Sequence, residues 1–264
     1  MSKEIFVSRQ ERWGSVLLLA LALGLAGCGG EDGDDEHENE HEGDDTHETT
    51  APPDVTVIVN VPEGICNLAA GPFSATIDNP WFSLPAGQVA ELRGQEDGED
   101  VYLRMTVEEE TVLIAGVETR VLEEHEEVDG ELDEISRNYF AQALDGTVCY
   151  FGEEVDIYED GAITSHDGAW RAGDGVNQPG IQMPAEPRLG LSYAQEVAPG
   201  VAEDHADHIA AGEATETPYG TFTNTIRLRE WSTLEPDSVS MKVYGYGVGL
   251  LEDDGLSLET VTAP

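Results

Sequence analysis

Apolar and polar positions alternate through most of this chain. Residues 101–107 read Val-Tyr-Leu-Arg-Met-Thr-Val, apolar at nearly every second position, which is the period of a half-buried strand. Strand-like stretches recur at 111–114, 117–122, 135–141, 148–158 and 162–170, and again at 191–197, 222–231, 238–246 and 256–261. Between them stand Ala115-Gly116, Asp129-Gly130, Asp145-Gly146, Asp160-Gly161 and Asp254-Gly255. Asp-Gly is a tight-hairpin pair, so successive strands are expected to run antiparallel. Helical periodicity is weak, and only 201–214 admits one short helix. Glycines 173, 175, 180 and 190, with prolines 179, 184 and 187, mark 173–190 as a long crossover loop. The pattern predicts an all-β domain over residues 55–264. Its expected form is a single antiparallel meander sheet strongly curled into a barrel or half-barrel, with a two-sheet β-sandwich as the alternative.

Residues 16–25 are apolar and follow a basic start at Lys3, Arg9 and Arg12, the layout of a secretory signal. The run is shorter than the roughly 20 apolar residues that span a bilayer. Leu25-Ala26-Gly27-Cys28 resembles the lipobox of bacterial lipoproteins. The resemblance implies removal of residues 1–27, acylation of Cys28 and firm attachment to the cell envelope. Gly29, where an Asp would resemble an inner-membrane retention signal, implies the outer membrane if the host has two.

Charge sharpens this picture. Without residues 1–27 the chain keeps nine basic and 53 acidic residues, a net charge near −44. Such a field repels nucleic acid and anionic headgroups, so no nucleic-acid partner is expected. Residues 31–48 hold eleven carboxylates, His37, His41 and His47, and no basic residue. The segment 28–54 is therefore expected to be a lipidated cysteine followed by an extended, disordered acidic tether. His37-Glu38-Asn39-Glu40-His41 matches the zinc-protease pattern H-E-x-x-H, but that chemistry needs a packed helix and this run has no apolar residue to bury one. Loose divalent-metal binding is the chemistry it retains. In the domain, Glu118, Glu123 and Glu124 read as solvated faces of strands.

Cys66 and Cys149 are the cysteines left after Cys28, and an exported compartment permits a single bridge between them. Asp204-His205-Ala206-Asp207-His208 is the sharpest constellation in the domain. On a helix Asp204 shares a face with His208, and on a strand His205 shares one with Asp207; either supplies ligands for zinc or another transition metal. Trp81, Trp170, Trp231 and Tyr244 are candidates for a ligand pocket. No G-x-S-x-G, phosphate loop, dinucleotide fingerprint or C-x-x-C occurs.

Ile77-Asp78-Asn79-Pro80-Trp81-Phe82-Ser83-Leu84-Pro85-Ala86-Gly87 resembles the opening motif of a group of uncharacterised bacterial secreted proteins and lipoproteins. Similar pieces follow in order: 150–153, 158–161, 179–185, 195–200, 217–222 and 247–250. The resemblance implies a family and no reaction. The motif residues read structurally, with Asn79-Pro80 as a turn, Trp81 and Phe82 plugging one end of the sheet, and Gly247 and Gly249 permitting a bulge. The expectation is a lipid-anchored envelope protein, a noncatalytic binding or structural β module with a small-molecule or protein partner and no cofactor. A metal-binding lipoprotein (zinc, copper or calcium) and a hydrolase with unrecognised carboxylates are the alternatives.

Overall fold

The computed structural model describes residues 59–61 and 64–264. Among these residues, seventeen strands form one sheet. Its principal strands are β1 (Val89–Glu96), β2 (Glu99–Ile114), β3 (Val117–Val128), β4 (Glu131–Ala143), β5 (Val148–Glu159), β6 (Gln178–Met183), β7 (Leu191–Ala194), β8 (Glu196–Val197), β9 (Asp204–Ala211), β10 (Thr225–Ser232), β11 (Val239–Gly245), β12 (Gly249–Asp253) and β13 (Leu256–Thr262). Strands β1 to β5 form an antiparallel meander, and so do β9 to β13. β13 returns to β1, pairing Leu258 with Leu92. The sheet curls into a nearly closed barrel, as the alternation predicts, and not into a two-sheet sandwich.

The turns explain the meander. Asp97-Gly98, Ala115-Gly116, Asp129-Gly130 and Asp160-Gly161 carry positive φ at both residues, the geometry whose twist matches that of the flanking strands. Asp tolerates this conformation and Gly adopts it without strain.

Two segments differ from the pattern reading. Residues 178–183 form β6, not loop, because Gly180, Ile181 and Met183 pair with Tyr150, Cys149 and Val148 of β5. Residues 204–211 form β9, not helix, paired along β10. The stretch 191–197 divides at Gln195. Its first half pairs with β9 and its second with β6 over only two residues, Gln178 with Val197 and Pro179 with Glu196. This short pairing is the seam of the barrel.

Cys66 and Cys149 form a disulfide with Cα atoms 5.4 Å apart, tying the N-terminal arm to β5. The motif at 77–87 closes one end. The Asn79 amide donates to the carbonyls of Gly146 (2.9 Å) and Pro184 (3.1 Å), and Gly247 N donates to Pro80 O at 2.6 Å. Phe82 enters the core against Phe140, ring centroids 5.1 Å apart. A small hairpin, Thr215–Thr217 and Gly220–Phe222, places Phe222 against Leu92, Leu251 and Leu258. On the outside, Arg137 binds Glu123 (3.1 Å) and Asp156 (3.3 Å).

Candidate functional site

Where inward positions of a strand carry polar residues, the barrel interior becomes chemically distinctive. β3 supplies Leu122 and Glu124, β4 supplies Asn138 and Phe140, and β5 supplies Tyr150 and Glu153. From the other side come Glu196 of β8, Asp204 of β9, Glu230 of β10, and Lys242 and Tyr244 of β11. Together with Phe82 they surround a cavity of about 120 Å³. A water molecule needs about 10–15 Å³ on this measure, so the space admits several waters or a small organic molecule. Half-exposed Glu235 and Ser238, on the hairpin between β10 and β11, mark the end where the lining meets the surface.

One wall is aromatic. Phe140 stacks on Tyr150 (4.8 Å), Tyr150 meets Trp170 edge-on (5.5 Å), and Phe82 also touches Tyr244 (6.2 Å). The remainder is a hydrogen-bonded acid network. Tyr150 Oη lies within hydrogen-bond distance of both Asn138 Oδ1 and, at 3.0 Å, Glu153 Oε2, and its single proton goes to one of them. Trp170 Nε1 donates to Glu196 Oε1 at 2.9 Å, and Gln195 Nε2 to Glu230 Oε1 at 2.7 Å. Lys242 Nζ lies 3.2 Å from Glu230 and 3.5 Å from Asp253. Two oxygens in this lining, Glu196 Oε2 and Asp204 Oδ1, are buried and accept no hydrogen bond from the protein.

The electrostatics follow from burial and crowding. Desolvation raises Glu196, Glu153 and Asp204 above the usual carboxyl range, with added repulsion from neighbouring acids. Toward the Asp129-Gly130 hairpin, outside the cavity lining, burial and neighbouring acids push Glu126 up to about 8 and drive Glu134 well above its ordinary value. Asp253 rises to about 7, chiefly by burial. Burial works against the Lys242 charge, but Asp253 and Glu230 outweigh it and hold the ammonium firmly protonated. One cation thus faces several carboxyls, and the surplus acids keep protons where an exposed acid would not.

The residues singled out from the sequence divide. Tyr244 and Trp231 belong to the lining, although the Trp231 ring stacks on His205 (4.5 Å, 13° between planes). Trp170 is fully enclosed and acts through its N–H on Glu196. Trp81 is outside the lining and packs edge-on against Tyr246 at 5.4 Å. The four metal-ligand candidates at 204–208 do not share one face. On strand β9 alternation splits it, with Asp204 in the cavity and His208 buried against Tyr193 Oη at 2.9 Å. His205 and Asp207 face the opposite way, where Asp207 receives Arg229 and the Trp231 N–H. Among the described residues no group of three or more His, Cys, Asp or Glu is arranged to hold a metal ion. Cys28, His37, His41 and His47 lie outside the described residues.

Sequence reasoning missed Glu153, Glu196 and Glu230, and it placed Glu124 on a solvated face. At Val121-Leu122 both residues are buried, so the strand is covered on both sides and its alternation no longer reveals which face is inward. Lys242 was the available signal, as the only lysine after Lys3.

Compared with known protein-family models, characterised proteins and solved structures, the chain has no match in any of the three.

Proposed function

We infer that this protein is a lipid-anchored module of the cell envelope that holds a small ligand inside its barrel without transforming it. Residues 1–28 support the anchor and the acidic segment that follows supports a spacer, as read from the sequence. The observation that carries the binding reading is the cavity: about 120 Å³, partly aromatic, partly polar, and reached beside Glu235 and Ser238. Concave sites of this mixed lining are the usual places for small ligands.

The test is native mass spectrometry of the protein purified from membranes in mild detergent. Ser240 of β11 is also in the lining, and the expected result is a noncovalently bound small molecule that is lost from Ser240→Trp, which fills the cavity. A ligand-free mass for the unsubstituted protein, or a bound mass unchanged by Ser240→Trp, overturns the reading. Intact mass of the processed chain tests the anchor, since an unmodified thiol at Cys28 removes it.

One observation favours a second reading. Glu153, Glu196 and Asp204 are carboxyl groups held protonated to unusually high pH in one cavity, and such groups serve as general acids in hydrolysis. Turnover of chromogenic glycosides or esters that disappears in both Glu153→Gln and Asp204→Asn would favour catalysis over binding. A metal-handling role rests on the tether histidines alone, because the domain quartet is split between two faces of β9.

A further inference from the structure

The chemistry of the lining narrows the ligand, on the premise that the cavity is a binding site. Glu124, Glu153, Glu196, Asp204 and Glu230 share it with one cation, Lys242, whose ammonium is already engaged by Glu230 and Asp253. The two acceptors without donors are more specific than this surplus of acids. Glu196 is 6% exposed, its Oε1 is held by the Trp170 indole, and its Oε2 has no protein donor. Asp204 Oδ1 is in the same condition, close enough for the two carboxyls to repel each other. A buried acceptor left unpaired is costly, and a ligand that supplies the missing donor recovers that cost. The rings of Phe82, Phe140 and Tyr244 lie in the same lining and offer apolar surface, with faces that favour a cation.

We propose that the cavity takes a small organic cation bearing N–H donors, a primary ammonium or amidinium on a short apolar or aromatic body. Its head donates to Glu196 Oε2 and Asp204 Oδ1, and its body lies against Phe82, Phe140 and Tyr244. An anion meets net repulsion here, because the one cation, Lys242, is already engaged by Glu230 and Asp253. A bare metal ion lacks the converging ligands it requires, whereas an N–H cation needs only single oxygens at hydrogen-bond distance. Binding also carries a proton signature. Around Glu196 and Asp204 stand Glu124, Tyr150, Glu153, Glu230, Lys242 and Tyr244, with Asp253 behind Lys242 and Glu235 at the mouth. In this surrounding the two carboxyls retain protons that an arriving cation displaces.

Titration calorimetry on the full processed protein with three probes decides the matter. Benzylamine is the cation with N–H donors, benzyl alcohol its neutral counterpart, and benzyltrimethylammonium a cation without donors. Benzylamine is expected to bind at pH 8 with a dissociation constant below about 1 mM, and about tenfold or more weaker at pH 6. The other two probes, and Glu196→Gln with benzylamine, are each expected to be weaker by about tenfold or more. Asp204→Asn is the second variant, and carries the test if Glu196→Gln does not fold. Equal binding of benzyl alcohol or of benzyltrimethylammonium overturns the proposal, as does unchanged binding in a folded variant. Failure of all three probes overturns it as well. If a bound molecule is then still seen by native mass spectrometry and lost in Ser240→Trp, the ligand class is wrong and the cavity remains a binding site. If neither is seen, both readings fall.

Discussion

Lys242 Nζ lies 3.2 Å from Glu230 Oε2 inside the barrel, so the only lysine after Lys3 serves as an internal counterion. Its second partner, Asp253, is 4% exposed and has one buried oxygen with no donor. Lys242→Met leaves both carboxylates without their cation. Removing one partner of a buried ionic group typically costs about 3–5 kcal/mol. The expected loss is largest at pH 8 and smaller at pH 5, where Asp253 is protonated. Urea unfolding of the variant at the two pH values measures this, and equal losses would contradict it.

The interior acids set the pH dependence of stability. Glu126 is raised from 4.5 to about 8 and Asp253 from 3.8 to about 7 in the folded protein. The native state therefore binds more protons than the unfolded chain between about pH 4 and 8, and stability falls as pH rises across that window. Tyr102 and Thr260 hold Glu91 low, and Thr233 and the Gly200 N–H do the same for Glu203, so these two groups act in the opposite sense below about pH 4.5. Thermal unfolding is expected to show a maximum near pH 5 and a lower midpoint at pH 8. A midpoint that rises from pH 5 to 8 would refute the assignment of these carboxyls.

The bridge between Cys66 and Cys149 closes a separation of 83 residues. On the chain-entropy account a loop of that length is worth about 4.5 kcal/mol against the unfolded state. Reduction, or Cys66→Ser with Cys149→Ser, should lower unfolding free energy by roughly that amount. Denaturant titration with and without dithiothreitol makes the comparison.

Gly180 lies where β6 crosses the 191–197 stretch, and a Cβ there would collide with the Gln195 carbonyl oxygen. Gly180→Ala should force the seam apart and destabilise the fold by about 1–3 kcal/mol. The same shift moves Gln195 and Glu196, which line the cavity, so ligand affinity should fall with stability. Affinity that stays constant while stability drops would separate the seam from the site.

The meander was legible because its strands and turns speak locally. Residues 101–107 alternate, and Asp129-Gly130 turns the chain with both φ values positive. β6 and β9 were not. Pro179 and Gly180 look like breakers, yet Pro179 sits at the seam and Gly180 permits a close crossing. Asp204-His205-Ala206-Asp207-His208 fits a helix or a strand equally well by residue type, and only pairing with β10 chooses.

The amino-acid order by itself determined the class of fold, the antiparallel order within the main hairpins and the acidity of the surface, because those follow from side-chain period, turn conformation and charge count. Tertiary structure alone decided which acids face inward. Glu123 and Glu124 are chemically identical neighbours, yet one meets Arg137 outside and the other lines the cavity. Curling the sheet fixes that difference: at this point of β3 closure encloses the face that carries Glu124 and leaves Glu123 at the surface, and a carboxyl's surroundings then decide whether it is solvated, paired or held protonated.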